Sequence, residues 1–189
     1  MDKDEIRSRI KTRKSLLSEQ EKREAARRVF DRLEQSAAFL LAEKVLLYHS
    51  LPDELSTHEF LDRWASRKKF FLPRVNGVNL DILPFERSRM ALGSFHIEEP
   101  QGDDCAAAKE MELIIVPGVA YDRMGNRVGR GKGYYDRLLQ SVKATVIGVG
   151  YDFQLIDEDI PADSHDIPMD IVITESRRLV IHRNRRRSG

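Results

Sequence analysis

Apolar residues early in the chain recur at the spacing of an amphipathic helix. Ser18, followed three residues later by Glu21, forms the S-x-x-E pattern of a capping box, which satisfies unpaired N–H groups at the beginning of a helix. From there to about residue 40, one helical face carries the small and apolar side chains Ala26, Val29, Leu33, Ala37 and Leu40. The pattern therefore predicts one helix that buries this face.

A more basic segment precedes this helix. Apolar residues are sparse in it, and Ile6, Ile10 and Leu17 form only a narrow helical stripe. A helix of this composition is expected to lie on a surface. One of its sides carries the basic residues Lys3, Arg7, Lys11 and Lys14.

Beyond residue 43 the pattern changes to short apolar runs separated by turns or helices. The clearest run, Leu113 to Val116, is continuously apolar and is stopped by Pro117-Gly118, as is typical of a buried strand. Ser56 and Glu59 form a second capping box at the beginning of a predicted helix. Strands are predicted over 44–50, 69–75, 80–85, 113–116, 144–152, 170–176 and 178–183, and helices over 56–68 and 133–142.

Strands that alternate with helices, several of them apolar throughout, predict an α/β fold. We expect a three-layer, Rossmann-like architecture with a mainly parallel sheet flanked by helices, and with the N-terminal helices packed on the sheet. The chain shows no internal repeat and no linker rich in Gly, Pro or Ser. A single domain is therefore predicted over residues 1–183, followed by a basic, disordered tail over 184–189.

Composition narrows the classes of function. With 41% hydrophobic and 33% charged residues and a net charge of +1, the chain resembles an ordinary globular domain without a field that would recruit nucleic acid. The single cysteine, Cys105, fits a reducing compartment, and the charged N-terminus is no signal peptide, so the cytoplasm is expected. Membrane association is not expected. Positive charge gathers at the end, in Arg177, Arg178 and 183–187, where contact with nucleic acid is the minority interpretation.

The stretch GRGKGYYDRLL, residues 129–139, has the composition of a phosphate-binding loop. It follows a buried strand and precedes a predicted helix, and ligands of α/β sheets collect at such positions. Its three glycines permit a positive φ, and Arg127, Arg130 and Lys132 supply charge. The spacing is not that of a P-loop, because Gly133 rather than Ser or Thr follows the lysine; Tyr134 likewise breaks a dinucleotide fingerprint. By composition alone, a basic turn that binds nothing remains open.

Several motifs in the same order resemble the 5-formyltetrahydrofolate cyclo-ligase family, also called methenyltetrahydrofolate synthetase. The main one is VPGVAYDRMGNRVGRGKGYYDRLL, residues 116–139. The others are KDEIR at 3–7, YHSLPDELST at 48–57, LPRV at 72–75, MALGSFHIEEP at 90–100 and GVGYDFQLIDEDIPADSHDIPMDIVITE at 148–175. The resemblance covers almost the whole chain, up to about His182.

The resemblance implies an ATP- and Mg²⁺-dependent cyclisation of 5-formyltetrahydrofolate to 5,10-methenyltetrahydrofolate, with release of ADP and phosphate. The γ-phosphoryl group of ATP would activate the formyl oxygen, which is otherwise a poor leaving group, and N10 of the folate would then close the ring. The expected partners are small molecules only, namely ATP and a folate that can carry a polyglutamate tail. A monomer or a weak homodimer is expected.

The resemblance also assigns roles to residues. The expected ATP-binding residues are Lys3, Asp4, Glu5, Ile6, Arg7, Arg127, Val128, Gly129, Arg130, Gly131, Lys132, Gly133, Tyr134 and Tyr135. The expected substrate-binding residues are His49, Glu54, Arg130, Gly131, Lys132, Gly133 and Tyr134. The catalytic residues are expected to be Arg130, Lys132 and Tyr134, and the magnesium ligands Asp136 and Asp166.

The residues themselves leave alternatives open. Asp53 is chemically equal to its neighbour Glu54 as a pterin-binding carboxylate, and Asp163 and Asp170 are close enough in sequence to replace Asp166 as a metal ligand. His165 is interpreted as a structural hydrogen-bonding residue. Two alternatives to the enzyme are a non-catalytic relative that binds folate or nucleotide, and a nucleic-acid binder that uses the basic tail.

Overall fold

The structure, a computed structural model, describes residues 1–93 and 96–182. Its helices are α1 (Lys3–Ser15), α2 (Glu19–Glu34), α3 (Ala37–Leu41), α4 (His58–Trp64) and α5 (Tyr134–Leu139). Its strands are β1 (Lys44–Leu47), β2 (Lys69–Asn76), β3 (Asn79–Pro84), β4 (Met90–Leu92), β5 (Glu98–Pro100), β6 (Leu113–Val116), β7 (Ala120–Tyr121), β8 (Arg127–Val128), β9 (Thr145–Val149), β10 (Ile171–Ile173) and β11 (Arg178–Val180). The predicted tail over 184–189 and the basic residues 183–187 lie outside the described residues.

A seven-stranded sheet forms the centre of the molecule, in the order β11-β10-β9-β6-β1-β2-β3. The five inner strands, from β10 to β2, pair in parallel, whereas β3 and β11 add antiparallel hairpins at the two edges. The prediction of a mainly parallel sheet flanked by helices is confirmed. Over the part of the chain that the structure describes, no helix is long and apolar enough to cross a membrane.

Both faces of this sheet are buried, which explains the continuously apolar strands. In β6, Leu113 and Ile115 pack into the cluster that includes Val29, Phe30 and Leu33 of α2. The alternate residues of the same strand, Ile114 and Val116, pack into a second cluster that includes Leu139 of α5. Since successive side chains of a strand point to opposite faces, a strand between two helical layers must be apolar at every position.

Helix α2 begins as predicted and ends earlier. The Ser18–Glu21 capping box is present, with both reciprocal hydrogen bonds. The prediction of one helix to about Leu40 is wrong, because α2 ends at Glu34 and the Ser36 hydroxyl caps α3 by accepting the N–H of Phe39. The new helix turns Phe39 into the core and leaves Leu40 60% exposed.

The second predicted capping box is not formed. Helix α4 begins at His58 after Thr57, and no side chain caps it. The buried Thr57 hydroxyl instead donates to the Tyr48 carbonyl and accepts the N–H of Ser50. It therefore holds the turn between β1 and α4 closed, and neither Ser56 nor Glu59 is needed there.

The long segment between β6 and α5, for which no strand is predicted, contains the β7–β8 hairpin. Tyr121 of β7 is fully buried, and its hydroxyl donates to the carbonyls of Val116 and Val149, at the ends of β6 and β9. The ring lies so close to Gly148 that a Cβ there would come within 2.3 Å of it. The Tyr121 ring therefore fits only because residue 148 of β9 is glycine. The buried ring in turn holds the hairpin against the sheet.

Both N-terminal helices are predicted to pack on the sheet, but α1 packs elsewhere. It packs against the β7–β8 hairpin and the turn at Asp152–Gln154. Ile6 and Ile10 are buried there with Ala120 and Val128. Helix α2 instead buries its apolar face in the main cluster on the sheet, whereas α1 lies beside the loops that follow β6 and β9.

Candidate active site

The loops after β1, β6 and β9 emerge at one edge of the sheet, because these strands are parallel. They are the turn at 48–57, the hairpin and glycine-rich segment at 117–133, and the turn at 150–155. Carboxyl ends of neighbouring parallel strands form the usual ligand-binding crevice of such sheets. Most of the sequence-predicted site residues lie on these loops or on α1, which packs beside them.

The glycine-rich segment presents a row of unpaired N–H groups. The backbone N–H groups of residues 129–133 make no hydrogen bond with any described residue. The carbonyls are turned elsewhere: Arg7 donates to the Gly129 carbonyl at 2.8 Å and Arg137 to the Lys132 carbonyl at 2.8 Å. Successive N–H donors without an acceptor among the described residues are suited to binding an anion.

Two of the three glycines adopt the conformation expected of them. Gly131 and Gly133 have φ values of +99° and +71°, in the region that favours glycine, whereas Gly129 does not have a positive φ. Gly133 leads into α5, which is only six residues long. The loop itself, rather than a helix dipole, is therefore the main source of donors.

Arg127 lies at the centre of this region and is unusually buried. Its side chain is 6% exposed, donates to the Pro117 carbonyl at 3.0 Å, and lies 3.5 Å from the carboxylate of Asp136. Its Nε atom is buried without a hydrogen-bond partner among the described residues. A buried guanidinium with an unused donor is costly, and an anionic ligand next to it would remove that cost.

The two predicted magnesium carboxylates are each paired with a cation. Asp166 accepts a hydrogen bond from Lys3 at 3.0 Å, and Asp136 pairs with Arg127. Burial opposes ionisation of Asp166, but the bonds from Lys3 and from the Asp163 N–H, together with the nearby charge of Arg127, hold its pKa below the ordinary value. Asp166 is therefore ionised at neutral pH, and the carboxylates of Asp136 and Asp166 both lie near the charge of Arg127.

The alternatives to Asp166 have other contacts. The Asp163 carboxylate is exposed and accepts the N–H of His165, which is a local turn contact. The Asp170 carboxylate accepts the N–H of Val146 at the amino end of β9, so it belongs to the sheet. His165 itself is exposed, and its carbonyl accepts from Gln140. Among residues 1–93 and 96–182, no three His, Cys, Asp or Glu side chains form a metal-binding group.

The structure distinguishes Glu54 from Asp53. The Glu54 side chain is 14% exposed, accepts the N–H of Leu51 at 2.9 Å, and lies 3.7 Å from Arg130. Asp53 is 59% exposed and pairs with Arg130 at 2.6 Å. Burial raises the pKa of Glu54, and the Leu51 N–H and Arg130 offset this only in part. Of the two carboxylates, Glu54 is thus the less exposed, and it accepts a main-chain N–H at this turn.

Lys14 is a member of this site that the sequence did not single out. It is half-buried at the far end of α1, and burial lowers its pKa even though the carboxylates of Asp53 and Glu54 lie nearby. Lys3, Arg7 and Lys14 form one stripe of α1, roughly 16 Å long at about 1.5 Å per residue. The stripe runs from Asp166, which Lys3 contacts, to the turn that carries Asp53 and Glu54, here called the acidic turn. It therefore connects the Asp166 side of the site with the acidic turn.

The remaining predicted residues fall into accessible and buried groups. Lys132 is exposed, and its side chain makes no hydrogen bond or ion pair with the described chain. Tyr134 is half-exposed, with its hydroxyl 3.5 Å from the Gly77 carbonyl. Burial raises the pKa of Tyr135 well above its ordinary value, and its ring packs against the core. His49 stacks on His58, with ring centroids 4.2 Å apart.

The first predicted ATP-binding segment contributes unequally. Lys3 and Arg7 face the loops, whereas Ile6 is fully buried and could meet a nucleotide only through its main chain. Asp4 pairs with Arg7, and the Glu5 N–H is used by the Asp2 cap of α1. Val128 is likewise buried in the core.

Known proteins were compared with the chain as a whole. The sequence model of the 5-formyltetrahydrofolate cyclo-ligase family matches residues 1–175. A 5-formyltetrahydrofolate cyclo-ligase of Escherichia coli (strain K12) is 29% identical over 178 residues, which cover 89% of this chain and 97% of the relative. The solved 5,10-methenyltetrahydrofolate synthetase of Aquifex aeolicus superposes with a TM-score of 0.88 and 33% identity, covering 100% of this chain and 97% of its own. A 5,10-methenyltetrahydrofolate synthetase from Mycoplasma pneumoniae, at 23% identity and a TM-score of 0.74, covering 93% of this chain and 100% of its own, shares the fold.

Proposed function

The chain belongs to the 5-formyltetrahydrofolate cyclo-ligase family, and we propose that the loops at the carboxyl edge of its sheet are the active site. The enzyme converts 5-formyltetrahydrofolate to 5,10-methenyltetrahydrofolate with ATP as co-substrate. The observation that carries the location is the run of five free N–H groups at residues 129–133, with buried Arg127 and its unused Nε donor beside it.

The residues around Arg127 fit a magnesium-bound triphosphate. Mg²⁺ prefers oxygen ligands and is usually held by one or two carboxylates together with substrate phosphates. Asp136 and Asp166 supply two carboxylates, and Lys3, Arg7, Arg127 and Lys132 supply positive charge around them. When bound, the metal ion would neutralise charge on the phosphates. The cations that pair with the two carboxylates in this structure would then turn to the phosphate oxygens.

The acidic turn is the proposed folate side of the site. The pterin ring has neighbouring N–H donors that suit a carboxylate with two free lone pairs. Glu54 has this character. Arg130 belongs to the glycine-rich segment and its side chain contacts Asp53 and Glu54, so it would reach both substrates. Lys14 of α1 adds positive charge near the same two carboxylates.

Catalysis on this arrangement is mostly positioning and charge stabilisation. The loop N–H groups, Arg130 and Lys132 hold the γ-phosphoryl group in line with the formyl oxygen. The phosphorus–oxygen bond to ADP breaks as the bond to the formyl oxygen forms. N10 then attacks the activated formyl carbon and gives up its proton to solvent, and the carbon–oxygen bond breaks to release phosphate.

Oxygen labelling tests this route. If 5-formyltetrahydrofolate carries ¹⁸O in its formyl group, all of the label should leave in inorganic phosphate after a single turnover. The measurement is mass spectrometry of the released phosphate, with unlabelled folate in ¹⁸O-water as the control. Label recovered in water instead would show that the formyl oxygen is not phosphorylated.

Replacing Glu54 by Gln should raise the KM for folate about 10- to 100-fold at neutral pH, because a charged acceptor for the pterin N–H groups is lost. In the unaltered enzyme the KM should rise as pH falls through the raised pKa of Glu54. The variant should lack this pH dependence. Steady-state kinetics across the acidic pH range provide the measurement.

Stability separates this effect from misfolding. The pKa of Glu54 is higher in the folded chain than in the unfolded one, so ionising it costs folding free energy as pH rises through these values. Glu54→Gln should therefore unfold at or above the normal temperature at neutral pH. Asp53→Asn is the matched control, with a smaller expected rise in KM. An equal or larger effect in Asp53→Asn would move the folate contact to Asp53.

A further inference from the structure

Arg137 is an exposed arginine of α5 whose donors go to main-chain carbonyls. Its Nη2 donates to the Lys132 carbonyl at 2.8 Å, and its Nε donates to the Val78 carbonyl at 2.8 Å. Nη2 also contacts the Val78 carbonyl. Among the salt bridges of the described chain, none involves Arg137. A charge present only for solubility would not be held by carbonyls from two separate segments.

These bonds connect the end of the glycine-rich segment to the tip of the β2–β3 hairpin. The hairpin is 59 residues distant from Arg137 in sequence, measured at Val78. The Tyr134 hydroxyl lies 3.5 Å from the Gly77 carbonyl and adds a second, weaker contact between the same two segments. The Arg137 guanidinium also lies 5.6 Å from the centroid of the Tyr134 ring.

The same guanidinium covers Gly133, the residue with a left-handed conformation. A Cβ at Gly133 would come within 2.7 Å of Arg137 Nη1. The Lys132–Gly133 peptide is therefore held from one side, with its carbonyl turned towards Arg137. Arg7 holds the Gly129 carbonyl at the other end of the segment. Both of these carbonyls are thus occupied by arginine donors, while the N–H groups of residues 129–133 have no acceptor among the described residues.

We propose that Arg137 is a positioning residue for ATP: it fixes the end of the glycine-rich segment against the β2–β3 hairpin so that the segment's N–H groups meet the phosphates. The inference rests on the proposed function of this segment. Arg137 touches neither substrate in this account and acts through the backbone of Lys132. Its loss should weaken ATP binding and leave folate binding intact.

The experiment compares Arg137→Ala, Arg137→Lys and the unaltered chain by calorimetric titration with MgATP in the absence of folate, and by KM values for both substrates. Arg137→Ala should weaken MgATP binding and raise its KM about tenfold, because charge-assisted hydrogen bonds to the loop are lost. Arg137→Lys should recover most of this, since an ammonium group reaches one of the two carbonyls. The KM for folate should stay within about twofold of normal.

Arg28→Ala is the matched control, because Arg28 is an exposed arginine of α2 whose ion pair within residues 1–93 and 96–182 is with Glu24 of the same helix. It should change neither KM. A fall in thermal stability of Arg137→Ala with unchanged MgATP affinity would overturn the proposal, as would equal weakening of both substrates. If the unaltered chain binds MgATP but forms no methenyl product, the proposed function fails, and the comparison of MgATP affinities still decides the role of Arg137.

Discussion

Replacing Lys132 by Ala should lower kcat/KM for ATP by about 10²- to 10³-fold, the usual cost of removing one preorganised group that stabilises transition-state charge. The side chain is exposed and makes no hydrogen bond or ion pair with the described chain, so its loss removes nothing that holds the fold together. The unfolding temperature should therefore change little. Steady-state kinetics and thermal unfolding of the same preparation provide the two measurements.

Lys143→Ala is the matched control for this variant. Lys143 is an exposed lysine that precedes β9, at the amino edge of the sheet and opposite the proposed site. It should leave both kinetics and stability unchanged. A marked loss of stability in Lys132→Ala, together with normal ATP affinity, would show that Lys132 supports the structure rather than the phosphates.

Asp136→Asn should raise the Mg²⁺ concentration needed for half-maximal activity about tenfold or more, because an amide oxygen is a weaker ligand for Mg²⁺ than a carboxylate. It should also lower the free energy of unfolding by about 1–2 kcal/mol, since it leaves a guanidinium that is 6% exposed without its carboxylate. The magnesium dependence of turnover and denaturant unfolding provide the measurements.

Comparison with two other aspartates assigns the ligands. Asp166→Asn should shift the magnesium requirement in the same direction, and Asp163→Asn, which removes only an exposed turn contact, should not. If Asp136→Asn leaves the magnesium dependence unchanged while Asp163→Asn shifts it, the metal site lies on the 163–166 turn and Asp136 serves Arg127 rather than the metal.

The parts of the fold that depend on local pattern were predictable. The Ser18–Glu21 capping box and the apolar run Leu113–Val116 formed where the sequence placed them. Two of the errors arose where one hydroxyl could bond to either of two segments. Ser36 caps a new helix, and Thr57 bonds to the Tyr48 carbonyl just after β1. Neither bond can be predicted from sequence, because each depends on how the neighbouring segments pack.

The proposed site likewise has a part that could be predicted from sequence and a part that could not. Its glycine-rich segment was evident from composition and from the family resemblance. The contacts of Arg137 and the burial of Lys14 were not, because each depends on segments that are distant in sequence. Lys14 belongs to the same basic stripe as Lys3 and Arg7, so helical periodicity identified its side of α1 but not the cleft that this side faces.

The central claim is that this chain uses ATP to close the ring of 5-formyltetrahydrofolate. The most direct measurement mixes purified protein, ATP, Mg²⁺ and 5-formyltetrahydrofolate and follows the near-ultraviolet absorbance of the methenyl product, with ATP omitted as the control. We expect a rise in absorbance that requires ATP and is accompanied by an equal amount of ADP. A flat trace from folded protein that still binds ATP would contradict it.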